Sequence, residues 1–339
     1  MNHLFDFDTL KKFDVKNMHE IYEKWPTIAH DSYNSDIEPV NFSKINHIIF
    51  SGMGGSGSLG DVFSSLMSQN STHISVVKGY HLPSTIDENT LVIATSISGN
   101  TAETLSILQS AAKSKYKIIA FSSGGKIHDF CSKNKIEFRQ IPMYHSPRAS
   151  FPGFLYSMIK ILEPIIPLKQ KDVTQSITEL QNTQKLISSS NLTENNPSLS
   201  LAKWISDIPV VYYPWGLQSA AIRFKNSIQE NSKRHIMVED VVESCHNGIV
   251  AWEQRTNIQP ILLEGKDDHF KTKERWKILK EYFNKQEIEF RTVMSVKGSI
   301  LSKIINLIYL LDYCSIYNAV LSEIDPSPIK SIDFIKKRL

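Results

Sequence analysis

The sequence lacks the features that mark secreted, disulfide-stabilised and membrane proteins. Its 339 residues include only three cysteines, scattered at Cys131, Cys245 and Cys314 with no C-x-x-C pair, which argues against a disulfide framework. The N-terminal stretch MNHLFDFDTLKKFDVKN is charged and has no apolar core of the kind a signal peptide needs. No apolar run approaches the roughly 20 residues of a membrane span. We therefore expect a cytoplasmic protein with no membrane partner.

An excess of one charge is also lacking. The chain has 38 Lys and Arg against 35 Asp and Glu, a net charge of +3, with no long block of a single sign. A nucleic-acid-binding face would need clustered Lys and Arg, so no nucleic-acid partner is expected. The apolar content of 41% is ordinary for a globular protein, and the length allows two domains.

Strand and helix patterns alternate along most of the chain. Apolar, β-branched runs such as HIIFSG, TLVIATS and YKIIAFSS have the length of strands, and SLGDVFSSLM places apolar residues on one helical stripe. This alternation predicts a parallel sheet covered by helices on both faces. It is interrupted by a polar stretch and resumes at IPVVYYPWG (208–216), which is followed by a helical pattern. IQPILLEG and IEFRTVMS are later strand patterns. We expect an N-terminal helical segment and first α/β domain over 1–165, an interdomain helix and linker over 166–205, and a second domain with a C-terminal helix and tail over 206–339.

A glycine-rich loop follows the first strand. Gly52, Gly54 and Gly57 have the G-x-G-x-x-G spacing of dinucleotide-binding proteins, between an apolar run and an amphipathic one. Such a site needs an acidic residue about 20 positions later, at the end of the second strand, to bind a ribose hydroxyl. That region, VVKGYHLP, carries Lys78 and no carboxylate, and Asp61 comes too early. A nicotinamide cofactor is therefore disfavoured, and we expect no cofactor.

A second polar turn, TSISGNTAETL, follows a later strand and precedes a helix. Hydroxyl side chains and backbone N–H groups at a helix N-terminus form an anion site. Ser56 in the glycine loop can join it, because the carboxyl ends of adjacent parallel strands meet in one crevice. Asn100 and Glu103 have capping-box spacing. These residue types are also common in ordinary turns, but two such loops favour a phosphate site. The polar residues of the second turn are Ser96, Ser98, Asn100 and Thr101.

Six segments together make the chain resemble the bifunctional phosphoglucose/phosphomannose isomerases of archaea and bacteria, which are built from sugar isomerase (SIS) domains. The resemblance covers nearly the whole chain in the right order, and implies an α/β fold of two flavodoxin-like SIS domains. Two departures, Ile97 in place of an aromatic residue and PRASFP in place of PRAAFG, concern loop packing more than chemistry. The segments are GMGGSGSLGD, SISGNTAETL, YHSPRASF (144–151), NSIQENSK (226–233), ESCHNGIVAWE (243–253) and DPSPIKSIDFIKKRL (325–339).

The resemblance implies a role for each matching residue. Arg148 would steady the developing enediolate, and Glu230 would be the base that moves the proton. His246 would open the sugar ring, and Lys330 would assist at the ring oxygen or hydroxyls. It also implies a homodimer with the active site at the subunit interface and His246 delivered by the neighbouring subunit. The substrate phosphate would be held by Gly55, Ser56, Ser96, Ser98 and Thr101.

The residue types suit the implied reaction. Converting an aldose phosphate into a ketose phosphate through a cis-enediol needs one carboxylate that reaches two adjacent carbons, and a cation where oxyanion charge develops. Ring opening needs an acid and base near neutral pH, which histidine supplies. The chain has no H-x-H or H-x-x-x-H pair and no Cys/His cluster of the kind that zinc sites use, so we expect no metal.

Alternatives remain open at this stage. SIS domains also serve as non-catalytic sugar-phosphate sensors, which need the hydroxyl loops but not Glu230, His246 and Lys330. An amidotransferase-type isomerase would need a glutaminase segment, and none is present. Activity on mannose 6-phosphate needs a pocket in which either C2 proton can face Glu230, which a sequence cannot reveal. Beside the histidine, Ile249, Val250 and Trp252 suggest an interface core, although they could equally fill their own domain.

Overall fold

The computed structural model describes residues 5–114 and 116–338, which divide into two compact units. The first-sheet unit comprises residues 24–170 and 330–338, and the second-sheet unit comprises residues 5–23 and 171–329. Each described unit contains a parallel sheet with helices, so the expected class of two α/β domains is confirmed. The fold class follows from the alternation of strand and helix patterns.

The first-sheet unit is built on five parallel strands in the order β2-β1-β3-β4-β5. Every residue of the two central strands is buried, as expected for apolar runs covered on both faces. The strands lie where the sequence predicts them: β1 (His47–Ser51), β2 (His73–Val77), β3 (Thr90–Ser96), β4 (Lys117–Ser122) and β5 (Glu137–Gln140).

Helices of the first-sheet unit pack on this sheet through predicted apolar stripes. In the helix after β1, Gly60 lets the helix approach the strands closely, because a Cβ there would lie 2.9 Å from Cβ of Phe50. The apolar stripe of that helix is buried at Leu59, Val62, Phe63, Leu66 and Met67. The chain begins with α1 (Phe7–Phe13) and α2 (Met18–Glu23) of the other unit, and the helices here are α3 (Trp25–Tyr33), α4 (Gly54–Met67), α5 (Ala102–Ala112), α6 (Gly125–Asn134) and α7 (Phe151–Ile161).

The second-sheet unit contains four parallel strands in the order β7-β6-β8-β9. Three were predicted, whereas the edge strand β7 was missed. It is short and ends in charged residues, and its first residue, Met237, is exposed, so it lacks the continuous apolar pattern of a central strand. The strands are β6 (Ile208–Tyr213), β7 (Met237–Asp240), β8 (Ile258–Glu264) and β9 (Arg291–Met294).

One long helix, α13 (Ile300–Leu321), forms the core of the second-sheet unit. Among the described residues it is the one helix that is long and apolar enough to cross a membrane, whereas no such segment was expected from the sequence. However, 89% of its most apolar window is buried in the protein. Its apolar surface is therefore accounted for by the core. The remaining helices are α8 (Gln170–Ile187), α9 (Pro197–Trp204), α10 (Gln218–Ser227), α11 (Val241–Ser244), α12 (Phe270–Lys285) and α14 (Lys330–Lys336), the last in the first-sheet unit.

The two units do not follow the expected boundaries at the chain ends. The helical segment expected with the first domain packs instead on α13, where the Tyr309 hydroxyl donates to the carbonyl of Tyr22 at 2.7 Å. The stretch expected as an interdomain helix and linker forms two helices, α8 and α9, and Asn306 of α13 donates to Thr183 of α8 at 2.7 Å. Periodicity shows that a short helix has an apolar face, but it does not identify the surface that covers the face.

Asn196 joins three parts of the second-sheet unit and gives a stability prediction. Its side-chain oxygen caps α9 by accepting from the N–H of Leu199 at 3.0 Å, and its amide donates to the carbonyls of Ile187 and Asn191 at 3.1 and 2.8 Å. Asn196→Ala removes the cap and leaves buried carbonyls without this donor. We expect the free energy of unfolding to fall by about 2–4 kcal/mol.

The matched control is Asn195→Ala, the same change at the exposed neighbouring position. It should alter the free energy of unfolding by no more than about 0.5 kcal/mol. Urea denaturation followed by circular dichroism compares the two variants. Equal stability of both variants would show that the Asn196 bonds contribute little.

Candidate active site

The two polar loops of the first-sheet unit lie side by side at the carboxyl ends of β1 and β3. The Ser56 hydroxyl accepts a hydrogen bond from the N–H of Ile97 at 3.1 Å, which joins the glycine loop to the second turn. The Ser96 and Thr101 hydroxyls lie 2.8 Å apart across that turn. The predicted crevice is therefore present, with three hydroxyl residues gathered in it, while Ser98 and Gly55 are half-buried on the same two loops.

Glycine is required in these loops by close backbone contacts. A Cβ on Gly52 would lie 2.9 Å from the carbonyl oxygen of Thr95, and one on Gly57 would lie 2.8 Å from the carbonyl oxygen of Gly52. Gly99 has φ +73°, in the left-handed region, and a Cβ there would collide with the backbone of Gly124. Tight packing of the loop backbone therefore explains the G-x-G-x-x-G pattern, and a bound dinucleotide is not needed to explain it.

The expected capping box at the start of α5 was wrong. Thr101 is the N-cap, its backbone is extended, and its side chain makes no capping bond. Asn100 points away from the helix start: its amide donates to the carbonyl of Ser98 at 2.9 Å, and its oxygen accepts from the N–H of Lys126 at 3.2 Å. Asn100 therefore joins this turn to the start of α6 and leaves the first N–H groups of α5 without a side-chain cap.

Lys78 is held beside the glycine loop by a carboxylate. Its ammonium group lies 2.6 and 2.7 Å from the two oxygens of Asp61, and its Cε would be 3.2 Å from a Cβ on Gly57. Burial raises the pKa of Asp61, and the Lys78 cation opposes that shift. The residue that follows β2 thus forms an ion pair with a carboxylate of α4.

Arg148 is a buried cation in a rigid turn before α7. Its side chain is only 4% exposed. Two bonds shape the turn: the Ser150 hydroxyl accepts from the N–H of Tyr144 at 2.8 Å and donates to the carbonyl of Ser146 at 2.8 Å. The indole of Trp25 donates to the carbonyl of Ala149 at 2.9 Å. The backbone that carries Arg148 is therefore fixed on both sides.

Glu230 lies in the second-sheet unit, on a π-helical turn (Ile228–Ser232) that continues α10. π-turns inside helices are often found at functional sites. Glu230 is half-buried, while its neighbours Asn231 and Ser232 are fully buried against α13. Hydrophobic periodicity predicted the helix but carried no signal for the extra residue in its last turn.

His246 is exposed on the connection between β7 and β8. The 3-10 turn that follows it (Gly248–Glu253) is anchored by Trp252, whose indole donates to the Tyr212 hydroxyl at 2.8 Å. Trp252 packs in the core of its own unit, which is one of the two possibilities that the sequence left open, whereas Val250 is 58% exposed. His246 thus lies on a loop that Trp252 anchors to the core of its unit.

A cavity of about 420 Å³ lies under the His246 loop, and sequence analysis did not identify it. Its walls include Tyr212, Trp252 and Glu239. Burial raises the pKa of Glu239, and the Tyr212 hydroxyl partly opposes the shift. The carboxylate lies against Gly248, where a Cβ would overlap its oxygens. The Glu239 side chain in the cavity wall therefore packs against the backbone two residues after His246.

Lys330 is exposed at the start of α14 and belongs to the first-sheet unit, like the hydroxyl loops and Arg148. Glu230 and His246 belong to the second-sheet unit, on separate connections before and after β7. Among the residues that the structure describes, no three His, Cys, Asp or Glu side chains form a group that could hold a metal ion.

Comparisons with known proteins agree with this architecture. A family model described as the SIS domain matches residues 41–132, and one described as the bacterial phospho-glucose isomerase C-terminal SIS domain matches residues 194–339. The solved C-terminal domain of glucosamine-fructose-6-phosphate aminotransferase from Francisella tularensis shares the fold, with a TM-score of 0.70, 15% identity, and coverage of 90% of this chain and 96% of that one.

Two curated relatives are similar over most of their length. The chain is 32% identical over 316 residues to a bifunctional phosphoglucose/phosphomannose isomerase from Caldicellulosiruptor bescii, covering 88% of this chain and 91% of the relative. It is 32% identical over 303 residues to the protein of the same name from Aquifex aeolicus, covering 86% and 90%. The two-sheet fold, the paired hydroxyl loops and this extent of similarity place the chain in the bifunctional phosphoglucose/phosphomannose isomerase family.

Proposed function

We propose that this protein is a cytoplasmic aldose–ketose isomerase that interconverts glucose 6-phosphate with fructose 6-phosphate, and accepts mannose 6-phosphate as a second aldose. The observation that carries the proposal is the group of hydroxyls of Ser56, Ser96 and Thr101 at the ends of β1 and β3. Together with family membership, this group favours a sugar phosphate as the ligand.

The phosphate is assigned to the two loops of the first-sheet unit. Serine and threonine hydroxyls donate to phosphate oxygens, and the N–H groups that begin α4 and α5 add the positive end of each helix dipole. Such a site holds a phosphate without a lysine. The substrate-binding residues in this proposal are Gly55, Ser56, Ser96, Ser98 and Thr101.

The proton transfer is assigned to Glu230. Its carboxylate removes the proton from C2 of the aldose and returns it to C1, while the hydroxyl proton of O2 passes to O1, so that the cis-enediol becomes the ketose. Charge develops on the substrate oxygens during this step, and a buried guanidinium such as Arg148 stabilises it more than a hydrated one would. No step is routed through a metal or a redox cofactor.

Ring opening is assigned to His246, with Lys330 assisting at the ring oxygen or the hydroxyls. Both side chains are exposed in the chain, as a group that acts on a substrate held elsewhere requires. A homodimer is proposed in which His246 acts in the neighbouring subunit. Apolar side chains flank it on the surface, with Val242 38% and Val250 58% exposed, which suits an interface.

The phosphate loop can be tested at Gly99. In Gly99→Ala the new Cβ would collide with the backbone of Gly124 at a positive φ, so the turn that carries the hydroxyls must shift. We expect affinity for glucitol 6-phosphate, which has no carbonyl and cannot isomerise, to fall roughly tenfold or more. Isothermal titration calorimetry measures it, and Gly79→Ala, which adds a Cβ into open space, is the control. Equal affinity in both variants would remove this turn from the phosphate site.

The base can be tested by Glu230→Gln, which keeps the size of the side chain and removes its basicity. We expect kcat on both aldose phosphates to fall by at least about a hundredfold, with glucitol 6-phosphate still bound. The exposed Glu194→Gln is the control. Near-normal turnover of the Glu230 variant would exclude this base. A wild-type protein that binds glucitol 6-phosphate but turns over neither aldose would instead be a non-catalytic sugar-phosphate-binding protein.

The shared site can be tested by mixing two inactive proteins, Glu230→Gln and His246→Ala, under conditions that exchange subunits. In a mixed dimer one of the two sites receives both intact residues. Activity should then return to about a quarter of the wild-type level for random exchange. If native mass spectrometry shows mixed dimers and the mixture stays inactive, the two residues act within one chain.

A further inference from the structure

A buried carboxylate on α13 holds the helix that leads to Glu230. The guanidinium of Arg223 contacts Asp312 through Nη2 at 2.7 Å and Nε at 3.0 Å, and the Ser227 hydroxyl donates to the other oxygen of Asp312 at 2.6 Å. Arg223 and Ser227 are four residues apart, so they share one face of α10. All three side chains are buried. The last turn of α10 before Glu230 is thereby fixed to α13.

A second set of bonds holds the residues after Glu230. The Asn231 amide donates to the Ser315 hydroxyl at 2.7 Å, and the Ser232 hydroxyl donates to the Ser315 carbonyl at 2.8 Å. The Ser315 hydroxyl in turn donates to the carbonyl of Asp312 at 2.6 Å. Glu230 therefore lies between two attachments to neighbouring turns of the same buried helix.

These attachments matter because a π-turn is a strained element. It contains one residue more per turn than an α-helix and is rarely stable without support. The bonds from Ser227, Asn231 and Ser232 surround the turn on the α13 side, which sets the direction in which residue 230 leaves the helix. Without them the turn could relax to regular α-helix, and the side chain of residue 230 would rotate around the axis.

Asp312 also offsets a permanent positive charge. Burial alone would lower the pKa of Arg223. The effect of Asp312, with smaller effects of Tyr22 and Glu230, outweighs burial, so the pKa lies above its ordinary value. Arg223 is therefore a buried cation whose charge is balanced by the Asp312 carboxylate at 2.7 Å. Other titratable or charged groups face this region from three sides: Lys233, which donates to the Glu230 carbonyl, on the turn itself; Asp312, Tyr309 and Tyr313 on α13; and Tyr22 and Glu23 on α2.

We propose that Asp312 and Ser315 are positioning residues for the catalytic base: they hold the π-turn in the geometry that aims Glu230. The inference rests on the proposed role of Glu230. Neither residue contacts substrate in this scheme. It predicts a loss of turnover without a loss of affinity for a substrate analogue.

Turnover is tested with Ser315→Ala, which removes the partner of Asn231. Misplacement of the base should lower kcat by about tenfold to a hundredfold while the affinity for glucitol 6-phosphate stays unchanged. Asn318→Ala is the matched control, because Asn318 is buried on the same helix and its amide donates to the carbonyls of Ala202 and Ile205 at 3.0 and 3.1 Å. It should lose stability and keep its kcat. Equal kcat losses in the two variants, corrected for folded fraction, would overturn the positioning role.

The attachment of α10 to Asp312 is tested with the double variant Arg223→Gln/Asp312→Asn, which removes both charges of the buried pair and so leaves no unpaired ion. Loss of this attachment should lower kcat by about tenfold to a hundredfold while the affinity for glucitol 6-phosphate stays unchanged. Asn318→Ala is again the control.

A folded double variant that keeps the wild-type kcat would remove Asp312 from the positioning role. If the double variant does not fold, an unchanged kcat in Ser315→Ala overturns the inference in its place. Failure of the proposed function looks different, because Glu230→Gln would then retain its turnover whatever the α13 variants do.

Discussion

The second-sheet unit depends on the need to satisfy polar groups buried along α13. Apolar packing alone would not fix the rotation of this helix, because hydrophobic contacts have no preferred direction. Polar side chains remove that freedom, since each must meet a specific partner when it is buried. Asn306 meets α8, Asn318 meets the end of α9, and Asp312 and Ser315 meet α10 and the turn after it. The polar residues of α13 thus fix how α8, α9 and α10 pack against it.

The first-sheet unit depends on a different constraint, because its two polar loops must lie close enough to bind one anion together. Here the decisive residues are the smallest ones. Gly52 and Gly57 allow backbone contacts that no Cβ would permit, and the Ser56 hydroxyl joins the loops by a single bond. The second sheet has the same parallel topology without these glycines, so its loops are free to carry titratable side chains. Similar folds therefore present different chemistry.

Sequence reasoning reached the strands, the helix stripes and the paired loops because these depend on local pattern and on the rule that parallel strands end at one edge. It missed β7, whose edge position leaves it without a continuous apolar run. It also placed Asn100 in a cap, although the Asn100 side chain accepts from the N–H of Lys126 at the start of α6. The π-turn was invisible for the same reason: it is imposed by Ser315 and Asp312, more than 80 residues away. The features that sequence reasoning missed are those that depend on residues far away in the sequence.

The course of the chain through the two units has a consequence for folding. Neither unit is a continuous stretch, since residues 5–23 and 171–329 form one and residues 24–170 and 330–338 the other. During synthesis α1 and α2 leave the ribosome first, but α13, which covers them, is made almost last. Their apolar residues Leu10, Met18 and Tyr22 must stay uncovered while the whole first sheet is made. Closing so long a loop is slow, and it exposes the nascent protein to aggregation and to chaperones for nearly all of its synthesis.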